Sequence, residues 1–178
     1  FIDFGNLVSS RRGIMAAASP TRGIMAGGQD PSSGNQGVNT IEFVITATTG
    51  NTSDFGDLVK TRRGGAGCSN SVRAVFGTGY IAPAPSNTAS SELDYITIAT
   101  LGNATSFGDL TYDRLETFGA VASHTRGVFG AGQDGSDNFV DTLDYVQIMT
   151  TGAGVDFGDL QDDRGGAGGC SNGNGGLG

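Results

Sequence analysis

The chain has no tryptophan, one histidine, two cysteines and four prolines among its 178 residues. Two cysteines cannot form the disulfide framework that holds small secreted domains together. Catalytic triads and histidine metal sites need partners in reach, and His124 stands alone in a turn slot that varies between repeats, so it reads as a turn residue. Cationic residues are also scarce. Ten Lys and Arg against eighteen Asp and Glu give a net charge of −8, which argues against nucleic acid as a partner, because phosphate binding draws on clustered Lys and Arg. No apolar run approaches the roughly 20 residues of a membrane span, and no signal-peptide pattern is visible. The sequence therefore points to no membrane partner. Helical periodicity of useful length is missing, so helix content should be near nil. The first residue is Phe1 rather than Met, which reads as processing or as a piece of a longer chain.

Glycine is abundant, at 32 residues, but without a Gly-X-Y period, which excludes collagen and leaves a turn-rich β architecture. Internal similarity dominates the sequence. Phe-Gly-Asp-Leu occurs at Phe55–Leu58, Phe107–Leu110 and Phe157–Leu160, with a near copy at Phe4–Leu7, spaced by 51, 52 and 50 residues. An arginine follows each Phe by seven residues: Arg11, Arg62, Arg114 and Arg164. A second set, Arg22, Arg73 and Arg126, opens an apolar string that runs into Gly27-Gly28, Gly77-Thr78-Gly79 and Gly130-Ala131-Gly132. An acidic–aromatic pair recurs at Glu42-Phe43, Asp94-Tyr95 and Asp144-Tyr145. Every arginine falls in a repeat slot or, as Arg12 and Arg63, beside one. The chain reads as a single repeat domain over 1–178, with units 4–54, 55–106 and 107–156 and a partial unit 157–178.

Within a unit, Leu93–Ile98 is rich in β-branched and aromatic residues with apolar side chains on both faces, as are Ile41–Thr46 and Leu143–Ile148. Strands covered on both sides read this way. A Thr-Gly or Leu-Gly turn follows, then a short strand ending at Phe-Gly-Asp-Leu, a loop carrying the first arginine, a small-residue strand such as Gly64–Cys68, and the Arg73–Phe76 strand. Four strands per unit make a β-propeller of four-stranded blades, or alternatively a β-prism or solenoid fibre, the expected all-β architecture. Three and a half units are fewer than ordinary propellers use. Either the chain is a segment of a longer array, or the opening Phe1–Leu7 strand joins the closing Gly165–Cys170 strands to complete a fourth blade, within one chain or between chains.

Candidate chemistry is sparse. Asp57, Asp109 and Asp159, with the arginines that follow them, could be an acid–arginine active site. Their presence in every unit points instead to inter-strand ion pairs or to arginines capping loop carbonyls, since an active site is normally singular. Cys68 and Cys170 share a slot that holds Ala17 and Ala120 or Val121 elsewhere, so both read as small core thiols. Gly173–Gly178 satisfies the dinucleotide glycine pattern without the strand and helix it requires. Asp134–Asn138 resembles a calcium loop but lacks the Gly and Glu that complete one, so a structural calcium ion is the only cofactor left open. The sequons at Asn51 and Asn103 read as turn chemistry. Binding specialisation belongs in the non-repeating loops 30–39, 80–91 and 134–141, where Asp30, Tyr80, Pro83, Pro85, Asp134 and Asp137 are the candidate residues.

The strand, Gly pair, strand, Tyr and turn order resembles kelch repeats, which form four-stranded propeller blades. The Gly pair is intact only at Gly27-Gly28, and Phe107 lies twelve residues after Tyr95, farther than the kelch spacing. The segments Arg126–Gly132, Leu143–Gly152 and Phe157–Leu160 are similar to units of repeat-rich proteins from cyanobacterial phages. That resemblance implies a non-enzymatic structural protein of a virion, in a tail fibre, tail tip or appendage. Its partners would be copies of itself, other virion proteins or a host-surface glycan, and its location the virion or the cell exterior. The alternative is an extracellular bacterial glycan-binding propeller module.

Overall fold

Strands make up the regular structure of the chain, and no α-helix occurs among the described residues. The computed structural model describes residues 2–34, 36–81, 88–117 and 119–171, so Pro83 and Pro85 lie outside the described residues. In chain order the strands are β1 (Met15–Ala18), β2 (Arg22–Ala26), β3 (Gln29–Asp30), β4 (Gln36–Ile45) and β5 (Ser53–Arg63). Then come β6 (Ala66–Ser69), β7 (Arg73–Gly77), β8 (Tyr80–Ile81), β9 (Ser90–Thr97) and β10 (Thr105–Arg114). The last four are β11 (Ala120–Ala122), β12 (Arg126–Gly130), β13 (Val140–Gln147) and β14 (Val155–Arg164). They form three antiparallel sheets: β1-β2-β4-β5-β8 with β3 on β4, then β6-β7-β9-β10, then β11-β12-β13-β14.

Each sheet contains the same meander of a small-residue strand, an arginine-led strand and two longer strands. The grouping differs in phase from the sequence units. Phe-Gly-Asp-Leu does not end a short strand but lies inside the long outer strands β5, β10 and β14, of 11, 10 and 10 residues. Arg62 and Arg114, expected in a loop, lie at the ends of those strands. A repeat fixes a period but no starting point; here the break falls after the arginine, where only Gly64-Gly65 join β5 to β6.

The tetrapeptide marks a β-bulge. Ile41 faces Gly56 and Glu42 faces Asp54, which leaves Phe55 as the extra residue; the register skips Phe107 and Phe157 in the same way. A bulged residue is left out of the ladder, and its carbonyl is free to bond elsewhere. It does so across sheets: Gly102 N–H donates to the Phe55 carbonyl at 2.9 Å and Gly152 N–H to that of Phe107 at 2.8 Å. The glycine of the motif has φ between 128° and 146° in all four copies. A Cβ at Gly56 or Gly108 would stand 2.4 or 2.2 Å from the carbonyl oxygen of that incoming turn. The second residue of each Gly pair is glycine for a related reason. Gly28, Gly79 and Gly132 have φ of 104°, 82° and 118°, while the first member sits near 60°, where Thr78 and Ala131 are accommodated.

The sheets stack through their apolar faces. Ile24, Ile41, Phe55 and Leu58 of the first sheet pack with Ala74, Phe76, Ile96 and Ile98 of the second. Val75, Leu93, Phe107 and Leu110 of the second pack with Phe129, Val146 and Ile148 of the third. Burying a side chain of this size contributes about 1.5–3 kcal/mol, and among the described residues the second sheet contributes to both core clusters. The chain ends follow the same pattern. Gly50 N–H donates to the Phe4 carbonyl and Thr52 N–H to that of Asn6, so residues 4–7 lie on the first sheet as an outer strand of a preceding sheet would. Gly169 packs on Ala120 as Gly67 packs on Ala16, in the place of a further first strand.

Candidate functional site

The recurring charges are used between sheets. Arg62 of the first sheet meets Asp94 of the second at 3.4 Å, and Arg114 of the second meets Asp144 of the third at 2.5 Å. Arg11 meets Glu42 in the same way. Both arginines beyond the first segment also donate to carbonyls, Arg62 to Glu92 at 2.8 Å and Arg114 to Thr142 at 2.9 Å. All three are buried at the guanidinium. Desolvation lowers the pKa of Arg62 and Arg114 and raises that of Asp94. The acid partner is thus the acidic–aromatic pair, not the tetrapeptide; among the described residues Asp57, Asp109 and Asp159 form no ion pair with an arginine.

The second arginine set lies over the adjacent aromatic ring. Arg22 is 4.8 Å from the Phe43 centroid, Arg73 is 4.1 Å from Tyr95, and Arg126 is 4.9 Å from Tyr145. Arg22 and Arg73 also donate to Ile98 and Ile148 carbonyls of the following sheet, at 2.6 and 3.1 Å. Each ring in turn meets the bulged Phe edge-on with centroids 6.0 Å apart. Asn51 and Asn103 accept backbone N–H bonds from Asn6 and Asp57. The two thiols differ. Cys68 is buried, which pushes its pKa up to about 12, whereas Cys170 is exposed. His124 lies in an exposed turn, and its carbonyl accepts from Asn70.

Residues that break the repeat gather elsewhere. Successive units bond at their glycine turns, Gly64 N–H to Gly13 O and Gly166 N–H to Glu116 O. Gly13, Gly64 and Gly166 have φ of 62°, 65° and 65°, and Glu116 occupies that slot at 48°. Holding a non-glycine residue there costs about 1–3 kcal/mol. Beside these turns is a cleft of about 320 Å³ lined by Arg12, Gln29, Arg63, Tyr80 and Glu116. Arg12 Nε donates to Gln29 Oε1 at 2.6 Å, and the Arg63 guanidinium lies 4.2 Å from the Tyr80 ring centroid. Burial chiefly raises the Tyr80 pKa, with Glu116 and Asp137 adding to it and Arg63 opposing.

Of the sequence candidates, Tyr80 lines this cleft and Asp137 does not. Asp134 lines a separate open depression with Ser91, Tyr112 and Asp113. Its carboxylate accepts from Ser136 N–H, Asn138 N–H and the Asn138 amide, which lowers its pKa. Asp30 caps a short 3-10 turn through Ser32 N–H. Among the described residues no group of three or more His, Cys, Asp or Glu is placed to hold a metal. Arg12, Arg63, Gln29 and Glu116 were missed in the sequence. The available signal was that Arg-Arg-Gly in two units becomes Arg114-Leu115-Glu116 in the third, with Glu116 where the others carry glycine. The cleft presents two guanidinium groups, an amide, a phenol and a carboxylate, a donor-rich set suited to a polar, oxygen-bearing ligand. No protein-family model matches the chain, and no curated protein is significantly similar to it.

Proposed function

We propose that this chain is a non-enzymatic architectural protein of a phage virion, in a tail fibre, tail tip or appendage, built as a kelch-like propeller and touching a host-surface glycan through the cleft at Arg12, Arg63 and Tyr80. The observation that carries the architectural reading is that the recurring arginines and acids are taken up by contacts between sheets, and the recurring aromatics by contacts with neighbouring strands. Repetition there serves cohesion, and recognition is assigned to the polar residues that vary between units. The propeller reading is supported by one small cavity lined jointly by Ala16–Ala18, Gly67–Ser69, Ala120 and Gly169–Ser171. First strands gathered about a common axis have that property. The viral part rests on the resemblance of Arg126–Gly132, Leu143–Gly152 and Phe157–Leu160 to phage repeats.

Mass spectrometry of purified particles tests the source: peptides of this chain are expected in the virion, and their absence removes the viral assignment. The same cleft favours a second reading, an extracellular bacterial glycan-binding module. Glycan-array binding by the isolated chain, lost in Arg63→Ala and Tyr80→Ala, together with absence from particles, would select it.

A further inference from the structure

The apolar face of the third sheet carries the residue types that its counterparts bury. Phe157 is 52% exposed where Phe55 and Phe107 are each 3%. Val128, Leu143 and Leu160 are half-buried, whereas Val75, Leu93 and Leu110 are buried. They line a groove of about 350 Å³ whose walls are almost wholly apolar. Arg164 is 51% exposed at its side chain and, among the described residues, pairs with Asp162 of its own strand at 3.5 Å, while Arg62 and Arg114 are fully buried against an acid of the following sheet.

What covers such a face is shown twice in the same molecule. On the first sheet it is the β7–β9 strand pair, and on the second the β12–β13 pair. The places that flank this pair are already taken at the third sheet. Gly166 N–H bonds Glu116 O as Gly64 N–H bonds Gly13 O, and Gly169 packs on Ala120 as Gly67 does on Ala16, so residues 166–171 stand as a first strand. Residues 4–11 stand as an outer strand, with Arg11 on Glu42. Among the described residues, no strand pair covers the apolar face of the third sheet as β7–β9 and β12–β13 cover the other two.

We propose that this groove seats a β-hairpin of the same repeat carried by a second polypeptide. Its first strand would follow the Arg-Gly-apolar-Phe pattern and its second the acid-Tyr-x-aliphatic pattern. The acid would meet Arg164, and the turn after the second strand would donate N–H groups to the Phe157 and Asp159 carbonyls, as Gly152 and Gly154 do to Phe107 and Asp109. Backbone pairing at the hairpin's two edges gives adhesion and the alternate side chains give register. A complete second copy would bring three sheets to a position with room for one. The inference deepens the architectural reading and rests on it only in taking inter-sheet contacts as the adhesive; the particle test reads source, so either can fail alone.

The test is a labelled peptide of residues 124–154 titrated into the whole chain by fluorescence anisotropy. Saturable one-to-one binding is expected, lost with Phe157→Asp or Leu160→Asp in the chain and weakened by Arg164→Ala or by Asp144→Asn in the peptide. These chain positions are exposed or half-buried, so circular dichroism should stay unchanged. The same segment is also fused to the chain by a flexible linker, which raises its effective concentration at the groove. The fusion should melt at higher temperature and protect the amides of residues 158–164 from exchange, and a fusion with Phe129→Asp in the appended copy should do neither. No binding and no protection overturns the proposal. So does concentration-dependent association of the unmodified chain that Phe157→Asp abolishes, since the occupant is then a second copy.

Discussion

The second and third sheets carry closely similar residues in equivalent slots, yet they live in different environments. Phe107 is 3% exposed and Phe157 52%; Arg114 lies buried on Asp144, while Arg164 is half exposed beside Asp162. Gly108 receives the carbonyl of Gly152 at what would be 2.2 Å from a Cβ, and Gly158 has nothing within 4 Å. The intrinsic residue chemistry is nearly the same, so the difference comes from the sheet that follows. A neighbour turns an ordinary exposed arginine into half of a buried ion pair, and a conformationally permissive glycine into a sterically required one. The energetic weight of a repeat residue is therefore a property of the interface and not of the motif.

The largest expected test of that comparison is at the arginines. Arg114→Ala leaves Asp144 buried without its cation and should lower the free energy of unfolding by about 3–5 kcal/mol. Arg164→Ala, at an exposed pair, should change it by less than about 1 kcal/mol. Urea denaturation of the two variants measures both, and equal effects would break the comparison. Next are the glycines. Gly108→Ala combines a strained φ with a clash against backbone, and overpacking of this kind costs about 1–3 kcal/mol beyond the strain. Gly158→Ala should show the strain alone, about 1–3 kcal/mol, so the gap between their melting temperatures reads the inter-sheet contact by itself. The smallest effect concerns the thiols and needs no mutation. Burial disfavours the Cys68 thiolate, so a thiol reagent at pH 8 should label Cys170 alone in the folded chain and both cysteines in denaturant. Two adducts on the native protein would mean that the interface around Cys68 opens.

Several features were legible before any coordinates. The all-β class and the near absence of helix follow from strand-like segments repeated at one spacing with no helical periodicity between them. The tetrapeptide was read less well. Its aspartate seemed the natural partner of the following arginine, since the two are close in sequence, whereas Asp94 and Asp144 come from the next sheet, 32 and 30 residues onward. The bulge at Phe55, Phe107 and Phe157 was not visible either, because a one-residue register skip leaves no trace in composition. Cys170 shares a slot with buried Cys68 yet is exposed, a difference no single-unit pattern contains. The cleft at Arg12, Arg63, Tyr80 and Glu116 joins residues from three units, and only the bonding of successive glycine turns brings them together.

From its own residues the chain determined which segments become strands, where they turn, and which side chains recur as packing and charge partners. These depend on local conformational preference and on alternation along the strand. Stacking of the sheets decided which faces are covered, which acid each arginine meets, and why one copy of a repeated face is left open. Burial and ion pairing depend on neighbours distant in sequence, and a repeated sequence gives the same instruction to every copy whether or not a neighbour follows.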